Sequence, residues 1–360
     1  MSDTIDTPFY VAGPQRYREH FGLFFERFAP GQRYVHRPGV TLSQQDNADE
    51  TLDSYNGAMI HFDARYAGQS SWQRPLMVST LTVQRLVGMT SRTLGCRRDI
   101  LGFREISLSA PVFGGDTIYA ESEILECRPG SDGVGVVTVR ITGRKDRHHD
   151  GTPVPDPVPF ANLVMDVEIF TSAGWQAVAL EPLGAPAREA RFACYRAHGD
   201  VLIEQCGLFF EDARPGESFI HAPRRTFHRA DLVQHARRAF DFAPAFHDAA
   251  WIDTRGGGRV RVPETVLLGA VTALTTRTFG RVSANLGWTD ITLGAVHEHD
   301  TVEAESTIVE ARTSKSRPHE GVLTVDTFAR NQLGVEICRY RRNLLVYRRD
   351  GDTPYAKAGY

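Results

Sequence analysis

The clearest pattern of apolar positions in the chain has helical spacing. These positions are Leu81, Val83, Leu86, Val87, Met89 and Leu94. They cover most of the surface of a helix at about 80–94, so the pattern predicts a helix that is buried rather than one lying on the surface. Ser79 or Thr80 is suited to cap its N-terminus, and Gly95 is suited to follow its C-terminus.

A second apolar helix is predicted between Pro263 and Gly280, since proline favours a first turn and glycine follows a last one. Each helix is followed by four segments rich in β-branched residues, which favour strands. These segments are 105–113, 117–127, 134–143 and 160–170 after the first helix, and 290–295, 301–311, 321–330 and 335–347 after the second. Because strands follow strands, the pattern predicts an α+β fold in which an antiparallel sheet wraps around one helix.

The chain repeats itself once, at a distance of 185 positions. The segment Gly-Leu-Phe-Phe-Glu occurs at 22–26 and again at 207–211. The other matched pairs include Pro30 and Pro215, Gly31 and Gly216, His36 and His221, Asp46 and Asp231, and Asp63 and Asp248. A repeat of this length indicates a duplicated domain rather than a solenoid. We predict an N-terminal domain at 15–172 (copy one), a linker at 173–200 and a C-terminal domain at 201–350 (copy two).

Composition narrows the class of protein. The 360 residues are 41% hydrophobic and 24% charged with a net charge of −3, which argues against a general binder of nucleic acids or membrane surfaces. No apolar run reaches ~18 residues, and the N-terminus lacks the pattern of a secretory signal. The five cysteines have no C-x-x-C spacing, so we expect a reduced, cytoplasmic protein without a zinc site.

The segment before the first helix, Ser54-Tyr55-Asn56-Gly57-Ala58-Met59-Ile60-His61-Phe62-Asp63, carries a resemblance to a known family. Together with the tandem helix-and-sheet pattern, it resembles the MaoC-like (R)-specific hydratases and dehydratases in their tandem, double-hotdog form. The spacing of Asn56, four residues and then His61, followed by Phe62, is similar to that of mesaconyl-CoA hydratases. In copy two, 279–288 and 331–334 resemble the non-catalytic half of those enzymes.

The resemblance implies the double hotdog fold and the reversible hydration of a short 2-enoyl thioester, with branched and dicarboxylic (mesaconyl-CoA-like) chains included. Imidazole titrates near neutral pH, so His61 is the candidate acid–base group, with Asn56 orienting the water. The start of the helix would hold the thioester oxygen; the candidate oxyanion and substrate-binding residues are Val78, Ser79, Thr80 and Tyr55. Candidate contacts to a carboxylate or to CoA phosphates are Arg74, Arg97, Arg98 and Arg104. No metal or cofactor is implied, since CoA or a carrier-protein pantetheine belongs to the substrate.

Copy two has Phe246 at the position of His61, so it is interpreted as catalytically inactive. A site built from Asp241 and His247 would require a shift of one residue. His36 and Asp63 recur as His221 and Asp248, which favours structural roles, for Asp63 as a helix cap.

Two alternatives remain open from the sequence. A thioesterase on the same fold would need a carboxylate near the thioester, and Glu50 and Asp63 are the nearby candidates. The second alternative is a non-catalytic module that binds thioesters. The sequence also leaves open whether two such chains associate as a homodimer of double hotdogs.

Overall fold

The structure is a computed structural model that describes residues 6–148, 150–205, 207–239, 241–351 and 353–357. The chain divides into two compact units. The N-terminal unit consists of Phe21–Pro182 and Tyr195–Gln205, and the C-terminal unit consists of the chain up to His20, Leu183–Cys194 and the chain from Cys206 onward. No helix among the described residues is long and apolar enough to cross a membrane.

The elements follow one another in the same order in both halves: a hairpin, two short strands, two surface helices, one longer helix and four long strands. In the first half these are β1 (Phe9–Gly13), β2 (Arg16–Glu19), β3 (Arg33–Val35), β4 (Val40–Thr41), α1 (Gln44–Asp53), α2 (Ala64–Gly68), α3 (Ser79–Met89), β5 (Arg97–Leu108), β6 (Thr117–Pro129), β7 (Val134–Arg147) and β8 (Pro153–Phe170), followed by α4 (Ser172–Val178). In the second half they are β9 (Tyr195–His198), β10 (Val201–Glu204), β11 (Ser218–Ile220), β12 (Arg225–Thr226), α5 (Arg229–Arg238), α6 (Ala249–Arg255), α7 (Glu264–Leu274), β13 (Val282–Leu293), β14 (Thr301–Thr313), β15 (Glu320–Asn331) and β16 (Glu336–Tyr347), followed by α8 (Pro354–Lys357).

Each unit contains an eight-stranded sheet among its described residues. The order is β5-β8-β7-β6-β3-β10-β9 in the N-terminal unit and β1-β2-β11-β14-β15-β16-β13 in the C-terminal unit, with β4 and β12 paired to β6 and β14. All pairs are antiparallel except β3 with β10 and β2 with β11. With one longer helix packed on a curled sheet in each unit, the predicted double hotdog fold is confirmed.

The hairpins are exchanged between the two halves of the sequence. The β1–β2 hairpin precedes copy one in the chain but pairs with β11 in the sheet of copy two. The β9–β10 hairpin precedes copy two but pairs with β3 in the sheet of copy one. The observed units therefore differ from the domains at 15–172 and 201–350, and part of the expected linker forms β9.

The longer helix of the N-terminal unit differs in detail from the sequence expectation. It begins at Ser79 with Val78 at the N-cap, where neither Ser79 nor Thr80 caps it, and it ends at Met89 before a 3₁₀ turn. Leu81, Thr82 and Leu86 are buried, while the opposite face is exposed. The helix is thus amphipathic and packs one face on its sheet, rather than being buried on all sides.

The edge strands β5 and β13 expose apolar side chains. Leu101 and Phe103 in β5 are 56% and 41% exposed, and Leu286 and Trp288 in β13 are 55% and 40% exposed. An edge strand with exposed apolar side chains is open to pairing with a further strand.

Candidate active site

Three local features shape the segment before α3: a capping box, a residue with positive φ and an Asx turn. Helix α1 starts with a capping box, in which the Ser43 hydroxyl accepts from the Asp46 N–H at 3.1 Å and Asp46 accepts from the Ser43 N–H at 2.8 Å. After α1 the chain reverses at Tyr55, whose φ is 56°. Asn56 then accepts the Ala58 N–H at 3.0 Å, which is an Asx turn.

His61 ends a short 3₁₀ turn and is half-buried. Its Nδ1 lies 2.8 Å from the carbonyl oxygen of Leu76. A carbonyl only accepts hydrogen bonds, so Nδ1 carries the hydrogen, and in the neutral ring Nε2 keeps its lone pair. This arrangement leaves one ring nitrogen able to accept a proton.

A cavity of about 240 Å³ lies beside this segment. Leu76, whose carbonyl oxygen lies 2.8 Å from His61 Nδ1, lines it, and so does Ser79 at the start of α3. His61, Asn56 and Thr80 are not among the described residues that line it. The other lining residues are Trp72, Met77, Thr82, Leu108, Ser109, Ala110, Pro111, Val112 and Phe160. None of the described residues that line the cavity is charged, so it is suited to an uncharged, mainly apolar group.

The start of α3 retains two candidate donors for a thioester oxygen. The first N–H groups of a helix have no acceptor within the helix. The Val78 N–H donates to Asn47 Oδ1 at 2.7 Å, and the Val78 side chain is buried, so Val78 is occupied structurally. The N–H groups of Ser79 and Thr80 have no acceptor among the described residues, which leaves them as the candidates.

Asn47 was not identified from the sequence. It is fully buried, and its amide contacts the backbone at His61, Leu76 and Val78. The repeat contains the signal that could have found it, because the position 185 residues on is Leu232, also fully buried. A buried amide in one copy, replaced by an apolar residue in the other, marks a polar function specific to copy one.

The remaining substrate-binding candidates are not gathered around the cavity. Tyr55 is 97% exposed at the tip of its turn. Arg98 lies 2.7 Å from Glu168, and Arg104 lies 2.9 Å from Asp166, so both guanidinium groups are already paired on the sheet surface. For these two arginines, this pairing argues against the expected contact with a substrate anion.

The other two arginine candidates, Arg74 and Arg97, have surroundings that differ from those of Arg98 and Arg104. The guanidinium of Arg74 stacks on the ring of Phe113 at 3.7 Å. One terminal nitrogen of Arg97 is buried without a hydrogen-bond partner among the described residues. Neither arginine lines the cavity.

The two candidate carboxylates for the thioesterase alternative, Asp63 and Glu50, already have hydrogen-bond partners. Asp63 caps α2 by accepting the Tyr66 N–H at 2.9 Å. Glu50 accepts from the Gln84 amide at 2.8 Å. Asp248 caps α6 in the same way as Asp63, which agrees with the interpretation of both residues as caps.

In copy two, the ring at the position of His61 is enclosed in the core: Phe246 is only 5% exposed. Asp241 accepts the Ala243 N–H at 3.3 Å, so it forms the same turn as Asn56. His247 is exposed, and its Nε2 lies 2.9 Å from the Phe242 carbonyl. Nε2 must donate to that carbonyl oxygen, so in a neutral His247 ring the nitrogen with the lone pair is Nδ1. In His61 it is Nε2.

His36 and His221 occupy matched buried networks. His36 lies 2.8 Å from both Glu204 and Ser122, and His221 lies 2.9 Å from Thr278 and 2.8 Å from Ser306. Both side chains are fully enclosed, which agrees with the structural role inferred from the repeat.

Among the described residues, Cys127 and Cys338 are free thiols, and Cys206 lies outside the described residues. Burial raises the pKa of the Cys96 thiol to about 12 and that of Cys338 to about 11. Among the described residues, no group of three or more His, Cys, Asp or Glu side chains is placed to hold a metal ion.

Comparison with known proteins identifies relatives of the chain. The sequence profile of a family described as mesaconyl-CoA hydratase matches residues 196–357. Beta-methylmalyl-CoA dehydratase of Chloroflexus aurantiacus is 25% identical over 156 residues, which are 42% of this chain and 44% of that protein. The chain thus spans less than half the length of the curated relative that it matches.

Two solved structures align along most of the chain. A MaoC domain dehydratase from Chloroflexus aurantiacus is 19% identical, covering 91% of this chain and 98% of that one, with a TM-score of 0.37. A Mycobacterium tuberculosis protein described as having a double hotdog fold is 21% identical, covering 91% and 99%, with a TM-score of 0.38. The fold assignment rests on the topology of this chain itself. The sequence matches confirm the expected resemblance to the mesaconyl-CoA hydratases, and the profile match lies within 196–357.

Proposed function

We propose that this chain reversibly adds water to a short 2-enoyl thioester, with one active site in copy one. The observation that carries the proposal is the anchoring of His61. Its Nδ1–H is held by the Leu76 carbonyl beside the cavity, which leaves Nε2 to exchange a proton. Copy two has the buried Phe246 at this position, and a phenyl ring cannot transfer protons.

In the hydration direction, Nε2 of His61 takes a proton from water as the water oxygen bonds to the β-carbon. The π bond between the α- and β-carbons breaks, its electrons move toward the carbonyl, and negative charge develops on the thioester oxygen as an enolate forms. The N–H groups of Ser79 and Thr80 stabilise that oxygen, since unpaired donors at a helix start favour negative charge. The proton on His61 then passes to the α-carbon, and the ring returns to its neutral form.

Asn56 has a narrower part in this proposal than the sequence suggested. Its carbonyl oxygen already accepts the Ala58 N–H, so it orients the water through its amide N–H groups. No metal or redox cofactor takes part. The acyl group of the substrate is carried on CoA or on the pantetheine of a carrier protein.

The cavity supports a neutral acyl chain over a dicarboxylic one. Among the described residues, the lining contains no cation that could pair with a free carboxylate. Its volume of about 240 Å³ also suits a short chain rather than a long one. We therefore propose a short, unbranched or branched monocarboxylic enoyl thioester, such as crotonyl-CoA, as the preferred class.

One assay tests this function. The protein is incubated with crotonyl-CoA or mesaconyl-CoA while enoyl absorbance and free thiol are followed. We expect loss of enoyl absorbance without thiol, faster with crotonyl-CoA. His61→Ala should lower the rate by roughly 10²–10⁴-fold, because it removes the acid–base group. The matched control, His247→Ala, should retain the rate of the unaltered protein.

Three other results would contradict the proposal in different ways. Release of thiol would indicate a thioesterase. Binding of CoA without turnover of either substrate would indicate a non-catalytic module. A rate that survives His61→Ala but is lost in His247→Ala would move the active site to copy two.

A further inference from the structure

The geometry points to Asn47 as a positioning residue for the hydration step, an inference that rests on the proposed function. Asn47 lies in α1, is fully buried and lines no part of the cavity. It does not contact the reacting atoms. It acts through the backbone groups that hold His61 and begin α3.

The donor side of the amide fixes two carbonyl groups. Nδ2 donates to the His61 carbonyl at 2.7 Å and to the Leu76 carbonyl at 3.0 Å. The Leu76 oxygen is also the acceptor of the His61 Nδ1–H. One buried side chain therefore fixes both the backbone that carries the imidazole and the acceptor that orients its ring.

The acceptor side of the amide fixes the helix start. Oδ1 accepts the Val78 N–H at 2.7 Å. Val78 is the N-cap residue of α3, and Ser79 and Thr80 follow directly. Asn47 thus couples the position of the acid–base group to that of the proposed oxyanion donors, and a misplacement of ~1 Å between such groups can cost on the order of 10²-fold in rate.

Copy two provides an internal comparison. Leu232 stands at the matching position of α5 and is also fully buried. An apolar side chain of similar size can therefore fill this place in the fold. Leu232 cannot supply these hydrogen bonds, and copy two has Phe246 rather than a histidine at the position of His61.

The test uses the full chain with Asn47→Leu, which copies the residue of copy two, and Asn47→Asp. The aspartate can still accept the Val78 N–H, but it presents an oxygen instead of N–H groups to the two carbonyls. The control is Ser122→Ala, which removes a buried hydrogen bond to His36 in the same unit, away from His61. All variants are compared at temperatures where circular dichroism shows them folded.

Two measurements are made. The ¹⁵N spectrum of the His61 side chain reports whether Nδ1 or Nε2 carries the hydrogen, and it requires no activity. We expect the Nδ1–H form in the unaltered protein and in Ser122→Ala, and a mixture of both forms in the Asn47 variants. With crotonyl-CoA, kcat should fall on the order of 10²-fold in the Asn47 variants while KM changes little, because Asn47 does not line the cavity.

The possible failures are distinguishable. An unaltered protein that hydrates no enoyl thioester would defeat the proposed function, whereas the tautomer of His61 would still show whether Asn47 positions the ring. A folded Asn47→Leu or Asn47→Asp variant with the original tautomer and kcat would overturn the role of Asn47. If Asn47→Leu does not fold, Asn47→Asp decides the question.

Discussion

At the scale of single residues, the duplicated sequence uses the same buried histidine with different partners. Glu204 contacts His36 directly at 2.8 Å, whereas Glu19 lies 3.9 Å from His221 and accepts a hydrogen bond from Thr278 instead. Glu19 and Glu204 are themselves 185 positions apart. Each glutamate comes from a hairpin and each histidine from the sheet that the hairpin joins. The repeat therefore keeps a glutamate near each histidine, but it forms the short contact only in the N-terminal unit.

The C-terminal unit should lose stability in mild acid. Burial lowers the pKa of His20 to about 4 and that of His221 to about 3, with Arg342 adding to the effect on His221. The unfolded chain takes up these protons near pH 6.5, while the folded unit does not, so the free energy of unfolding falls as the pH drops below 6.5. The expected slope is about 1.4 kcal/mol per pH unit for each histidine.

This prediction is checked by urea unfolding at pH 7.5 and pH 5.5, with hydrogen exchange of peptides from the C-terminal unit as the probe. His221→Gln should give a shallower pH dependence, since glutamine has no charge to gain. Glu298, whose pKa is held at about 2 chiefly by Arg229, contributes only below about pH 4.5. An unchanged slope in His221→Gln would contradict the assignment.

At the scale of elements, comparison of the two copies distinguishes residues that form turns and caps from residues that are candidates for catalysis. Asn56 and Asp241 form matching turns, and Asp63 and Asp248 cap matching helices. His61 against Phe246 and Asn47 against Leu232, in contrast, differ in kind between the copies.

Asp63→Ala should destabilise α2 by about 1 kcal/mol, the usual cost of losing an N-cap. Asp63→Asn should be nearly neutral, because asparagine can accept the Tyr66 N–H equally well. Thermal unfolding measures both changes. Loss of turnover in a stable Asp63→Asn variant would instead assign a chemical role to this carboxylate.

The sequence predicted the elements well where the pattern is local. The long strands and the two longer helices follow from runs of β-branched and apolar residues, although β5 and β13 begin at Arg97 and Val282, well before the predicted segments at 105–113 and 290–295. The N-cap at Val78 was not predictable in this way, because its N–H is satisfied by Asn47, which lies 31 residues earlier. For the same reason, Arg98 and Arg104 looked available, although their carboxylate partners lie 70 and 62 residues away in sequence.

At the scale of the whole molecule, the division of the chain into units does not follow the order of the repeat. The expected first domain at 15–172 includes β2 but leaves out β1, and the β9–β10 hairpin falls within the expected linker and the start of the next domain. Short strands of this kind carry little periodicity, so their pairing depends on partners far along the chain. The match between Glu19 and Glu204 was the available sign that both hairpins belong to the repeat.

Removing residues 1–20 should selectively destabilise the C-terminal unit. The deletion removes the parallel pairing of β2 with β11 and the buried Phe9, and it leaves the Ala222 N–H without Glu19. A synthetic peptide of residues 1–20, added in excess, should restore the melting temperature of the truncated protein. The same peptide with Glu19→Ala and Phe9→Ala should not, and equal rescue by both peptides would show that the hairpin is not specifically recognised.

The exchanged hairpins also bear on how such a chain could have arisen. A single-copy ancestor with this topology would have had a sheet that lacked two strands and a hairpin with no sheet of its own. Two molecules trading hairpins would have solved both problems, as in other domain-swapped dimers. Gene fusion would then have converted a concentration-dependent association into an intramolecular one.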